Sequence, residues 1–155
     1  MTVTRIIPLP EGSDFRSLFQ RSAIETGFLL TAEDRHGIAR LLRDHGTEIA
    51  PNIPLLNGLL RHKLRISREA PVPTPPDLVV AGCHVTYMLS GEGKRSGVLS
   101  MSPMPFPGHV LVASLLGATL IGMRKLQKVP LVQDDGQIDT VVVLDVSLPP
   151  DHQAA

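Results

Sequence analysis

The side chains that could do chemistry are few and scattered. Asp44 and Glu48 bracket His45 in Arg43-Asp-His-Gly-Thr-Glu-Ile49. Carboxylate oxygens at that spacing suit a hard divalent cation, and they equally suit a solvated loop. Arg61, His62, Lys63, Arg65 and Arg68 crowd a second stretch, opposed only by Glu69. Such a cluster fits an acidic protein surface or a nucleic-acid phosphate, or a helix face turned to water. Cys83 and His84 are a nucleophile and a base by type, but adjacent strand residues point to opposite faces. The thiol is therefore expected as a small core residue. The six histidines show no HxH, HxxxH or HExxH spacing. Ser90-Gly-Glu-Gly-Lys94 has the look of a phosphate loop. Met88, however, stands where the first glycine belongs, and Arg95 replaces the Ser or Thr. No serine lies in a GxSxG setting. The expectation is a protein without enzymatic activity, cofactor or metal.

Composition narrows the classes further. Lys plus Arg and Asp plus Glu both number 15, so no global field steers the chain toward nucleic acid or an anionic membrane. Aromatic residues are 3%, with no Trp and a single Tyr, which excludes a surface that stacks several bases or sugars. Cys83 alone allows neither an intramolecular disulfide nor a cysteine-based zinc site. The opening residues, broken by Pro8 and Pro10, do not read as a signal peptide. The longest near-apolar run, Val110 to Met123, is about 14 residues, short of the roughly 20 a membrane helix needs. The expectation is a cytoplasmic protein with no membrane partner.

The elements that position these residues follow from periodicity. Phe15, Leu18 and Phe19 mark a short helix within an N-terminal extension, residues 1–30. A helix is expected over 32–44, opened by Thr31 and Asp34 as a capping box and closed by Gly46. Its apolar stripe is Ile38, Leu41 and Leu42. A second begins at Asn52, with Leu56, Leu59, Leu60 and Leu64 on its apolar face. Together they make an antiparallel hairpin over 31–70, about 20 Å long. Pro71-Val-Pro-Thr-Pro-Pro76 is a stiff spacer, or a PxxP ligand for an aromatic groove. From 77 to 148 the pattern is β. Strands are expected at 78–88, 96–102, 109–113, 128–132 and 138–148, with one apolar helix over 115–123. Asp135-Gly136 marks the last hairpin. Residues 149–155 are a tail. The fold class is α+β.

This order resembles the Gre-factor superfamily of bacterial transcription factors, in particular its short-armed branch, the regulator of nucleoside diphosphate kinase. Pro76-Asp-Leu-Val-Val-Ala-Gly-Cys-His-Val-Thr-Tyr87 is similar to that family's opening strand. Ser114-Leu-Leu-Gly-Ala-Thr-Leu-Ile-Gly-Met123 is similar to its S-P-L-G-x-A-L-L-G-L helix, and Val141-Val-Val-Leu-Asp-Val146 to its last strand. Leu115 replaces the proline, and Leu126-Gln-Lys128 stands where the family has V-G-D. The resemblance implies a helical hairpin arm followed by an FKBP-like antiparallel β-domain with one short helix. It implies docking on RNA polymerase near the secondary channel, with nucleic-acid contact only indirect, inside the transcription complex.

In long-armed relatives, two acidic tip residues help hold a catalytic metal. Here the tip is Asp44, His45 and Glu48 on a short arm, so no stimulation of RNA cleavage is expected. Partner contacts are expected at Arg61, Lys63, Arg65, Arg68, Leu126 and Lys128, on a chain that is a monomer. Two rival readings remain. One is an FKBP-type peptidyl-prolyl isomerase, for which only Tyr87 and Phe106 could wall a pocket. The other is an adaptor that uses Phe15, Leu18 and Phe19.

Overall fold

The computed structural model describes residues 27–148. The expected helix around Phe15–Phe19 and the tail from Pro149 lie outside them. The chain enters through β1 (Leu29–Leu30), forms α1 (Ala32–Arg43) and α2 (Ile53–Ile66), and reaches β2 (Arg68–Glu69). It then builds β3 (His84–Leu89), β4 (Lys94–Ser100), β5 (His109–Leu111), α3 (Leu115–Leu120), β6 (Lys128–Val132) and β7 (Ile138–Ser147).

The capping residues do much of what their types predict. Thr31 Oγ1 accepts the Asp34 N–H at 3.0 Å and opens α1. Asn52 Oδ1 does the same for Leu55 at 3.2 Å, with Pro54 in the first turn of α2. The Asp34 carboxylate accepts the Ala81 N–H at 3.2 Å, tying α1 to the β-region. The left-handed residue after α1 is His45 (φ 58°), not Gly46. Gly46 follows it and donates its N–H to Leu41 O at 2.8 Å, closing a Schellman-type end.

The main sheet has the order β5-β4-β3-β7-β6. β3 lies between β4 and β7, antiparallel to both, and β6 pairs antiparallel with β7. β5 runs parallel to β4 after the proline-rich connection 101–108, so the sheet is not antiparallel throughout. The expected strand from Leu78 is broken. Gly82 takes φ 91°, Cys83 N–H returns to Val80 O at 3.1 Å, and the ladder restarts at His84. Ahead of that turn, Val79 pairs with the segment after α3: its N–H reaches Met123 O, and Gly122 N–H reaches Val79 O. The apolar helix stops at Leu120 rather than Met123, because Ile121 is extended and Gly122 has φ 87°.

Alternation along the strands sends Val85, Tyr87, Leu89, Leu99, Val129, Leu131, Val141 and Val143 into the core. α3 lies against it, the helical hairpin packs on α3 through α2, and Ile38, Leu41, Leu56, Leu59 and Leu60 join the same core. These residues share one core, so the hairpin is packed onto the β-region rather than held apart by the proline spacer. Phe28 and Leu30, which fall in the expected N-terminal extension, are fully buried in that core. β1 is fixed on both sides. It pairs parallel with β2, and Leu29 N–H reaches Gly122 O at 3.1 Å. Among the described residues no helix is long and apolar enough to cross a membrane.

Candidate functional site

The hairpin turn places Asp44, His45 and Glu48 in water. Asp44 Oδ1 lies 3.4 Å from Arg43 Nε, and Glu48 Oε1 lies 3.9 Å from His45 Nδ1. Each carboxylate therefore faces its own neighbouring side chain, Arg43 for Asp44 and His45 for Glu48. Beneath them the turn is anchored by buried Thr47, whose hydroxyl donates to Asn57 Oδ1 at 2.7 Å. Among the described residues there is no cluster of three potential metal-ligating side chains.

The basic stretch is split by helical geometry. Arg61, Arg65 and Arg68 are exposed, whereas His62 and Lys63 are buried. Arg65 Nη2 lies 3.0 Å from His62 Nδ1. Lys63 is 1% exposed and cannot belong to a contact surface. Its Nζ donates to Thr119 O at 3.0 Å and to Ile121 O at 2.9 Å, and lies 3.7 Å from the centroid of the Phe28 ring. A cation there caps the carbonyl end of α3 and meets the face of an aromatic ring. Desolvation works the other way and prevails, bringing the Lys63 pKa down from 10.5 to about 7. The signal was available in the sequence: Leu56, Leu59, Leu60 and Lys63 follow one i, i+3, i+4, i+7 stripe. The charge masked the position.

Arg35 plays the matching part for α2. Its Nη1 donates to Leu64 O at 2.8 Å and its Nη2 to Ser67 O at 3.1 Å, closing the α2 terminus from across the hairpin. No sequence pattern singled it out, because the contact spans 29 to 32 residues.

Leu126 and Lys128 bound the short link between α3 and β6. Leu126 has φ 71° and is 68% exposed. A non-glycine residue in that region costs about 1–2 kcal/mol. The place a glycine would fill is therefore Leu126, one residue before the glycine of V-G-D in the resemblance. Lys128 is exposed at the start of β6, opposite Val142.

An open groove of about 650 Å³ runs between α1 and the β-region, lined by Glu33, His36, Gly37, Arg40, Ala81 and Met101. The connection after β4 holds Met104 (66%) and Phe106 (65%) in solvent, with Phe106 stacked on His109 at 5.1 Å. Cys83 is buried while His84 is exposed, so the pair does not meet. Burial raises the Cys83 pKa to about 11, partly offset by a hydrogen bond with the Val80 backbone. A thiol held protonated in this way is a poor nucleophile.

No family model matches this sequence, and no curated protein does. Solved structures do. A prokaryotic transcription elongation factor GreA/GreB from Nitrosomonas europaea superposes with a TM-score of 0.54 at 15% identity, over 77% of this chain and 98% of its own. The GreA factor homolog 1 (Gfh1) protein of Thermus thermophilus aligns at 17% identity over 77% of this chain and 97% of its own, with a TM-score of 0.36. The architecture is thus the Gre-factor fold. Within it, the described residues form a docked helical hairpin and a curled five-stranded sheet around one short helix.

Proposed function

We propose that this protein is a non-enzymatic transcription regulator that binds RNA polymerase near the secondary channel and does not stimulate RNA cleavage. The observation that carries the reading is the fold, shared over 98% of the length of a transcription elongation factor. The hairpin supplies the second part. Its helices have 12 and 14 residues, about 18 and 21 Å of rise. They are fastened to the β-region by Asp34, Lys63 and the shared core. An arm this short and this firmly docked does not carry a tip deep into a channel. Asp44 and Glu48, each turned to its own nitrogen partner, are not a ready pair of metal ligands.

On this reading the protein is closest in kind to the short-armed branch of the superfamily and works in the bacterial cytoplasm as a monomer. The β-region provides the docking surface, in the manner of an FKBP-like domain. Exposed Arg61, Arg65 and Arg68 on the hairpin face acidic polymerase surface. The test is equilibrium binding to core RNA polymerase, with displacement by a Gre factor. Micromolar or tighter binding that the Gre factor competes away is expected; no binding at that concentration removes the proposal.

A further inference from the structure

We propose that the turn Arg124–Lys128 is a docking knuckle: Leu126 enters an apolar socket on a protein partner whose rim carboxylates meet Arg124 and Lys128. The proposal takes its partner, RNA polymerase, from the reading above and names the surface that touches it. Three observations lead there.

The first is conformation. Gln127 N–H returns to Arg124 O at 3.0 Å, so Leu126 occupies the third position of a tight turn at φ 71°, where glycine or asparagine is the relaxed choice. The second is support. Lys125 N–H donates to Asp77 O at 2.9 Å, Leu126 N–H to Val143 O at 2.6 Å, and Val143 N–H to Gln127 O at 3.2 Å. The Gln127 side chain accepts the Arg124 N–H at 2.8 Å and donates to Gly27 O at 3.1 Å. Backbone strain persists only where its surroundings fix it in this way. The side chain carried on this fixed backbone gains nothing from the fold, because most of it lies in solvent. A partner meets it on a backbone already in place, without the ordering that binding a mobile loop requires.

The third is charge. Arg124, Lys125 and Lys128 are all exposed around Leu126. Lys125 Nζ lies 3.5 Å from Asp145, while Arg124 and Lys128 form no ion pair among the described residues. Two uncommitted cations beside one apolar side chain complement an acidic rim around a small socket. A lipid surface fits less well. Interfacial binding draws on several apolar side chains, and Asp145 would face the anionic headgroups.

Binding of the full chain to core RNA polymerase tests the proposal, with Leu126→Gly and the double variant Arg124→Glu/Lys128→Glu beside the wild type. Leu126→Gly is expected to weaken binding about tenfold or more while melting no lower than the wild type, since it relaxes the turn. The charge reversal is expected to weaken binding similarly and to flatten its salt dependence. If the wild type binds and Leu126→Gly binds equally well, the knuckle is refuted and the polymerase reading stands. If the wild type does not bind, that reading falls and takes this partner with it. Binding to vesicles of phosphatidylcholine with about one third phosphatidylglycerol, lost in Leu126→Gly, would assign the turn to lipid and overturn the proposal.

Discussion

Raising the pH from 7 to 9 should make this protein more stable, and Lys63 is the reason. In the folded chain its pKa is about 7, against an ordinary 10.5. Between those values the unfolded chain holds one more proton than the folded one, so removing protons favours folding. Each pH unit contributes about 1.4 kcal/mol per proton; with Lys63 half protonated at pH 7, the rise is about 2 kcal/mol over those two units. Cys83 then opposes the trend. Its pKa is raised from 9.0 to about 11, so between those values the unfolded chain ionises first and stability is lost as pH rises. From pH 9 to about 10.5 the two slopes cancel. Above that only losses remain, with Tyr87, whose pKa burial also raises, adding to them.

The expected profile is therefore a rise, a plateau and a fall. Urea unfolding across the range, followed by circular dichroism, would record it. Lys63→Met should abolish the rise; Cys83→Ala should extend it toward pH 10.5. Lys63→Met also strips Thr119 O and Ile121 O of their donor, at about 1–3 kcal/mol for each buried acceptor. The variant should therefore be less stable than the wild type at pH 9. A wild-type profile that is flat or falling between pH 7 and 9, or a rise that survives in Lys63→Met, refutes the assignment.

Other perturbations follow from the same contacts. Arg35→Met removes the donors to Leu64 O and Ser67 O and should lower stability by about 2 kcal/mol, read as a reduced urea midpoint. A Cβ at Gly117 would run into the Leu111 carbonyl; Gly117→Ala should cost about 3 kcal/mol through overpacking, visible as a lowered Tm. Asp44→Ala and Glu48→Ala act on exposed side chains and should leave stability within about 0.5 kcal/mol. They should also leave polymerase binding unchanged, whereas a metal-assisting tip would lose activity in both.

Much of the architecture was legible because it rests on local chemistry. Thr31 and Asn52 are caps by type and caps in fact, and Lys128–Val132 is a strand with the bounds its residues suggest. The Leu115 helix was visible as an uninterrupted apolar run, and its true end at Leu120 is set by contacts from Val79 and Leu29 that no local window contains. Long-range demands account for the other departures. The Asp34 carboxylate accepts the Ala81 N–H from 47 residues away, a contact beyond the reach of any local pattern. Phe28 and Leu30 sit beside a stretch with no recognisable pattern, and their burial depends on β2 and the end of α3. At the candidate surfaces, residue type grouped Arg61, Arg65 and Arg68, which are exposed, as are Leu126 and Lys128, which the departure from V-G-D singled out. It misplaced Lys63, because a charge in an apolar stripe was read by its charge and not by its position.

Backtracked transcription complexes, assayed for RNA cleavage in the presence of a Gre factor and increasing amounts of this protein, bear most directly on the functional claim. No cleavage by this protein alone is expected, with a dose-dependent block of Gre-stimulated cleavage as the two compete for one polymerase surface. Cleavage stimulated by this protein alone, or Gre activity untouched at saturating protein, would contradict it.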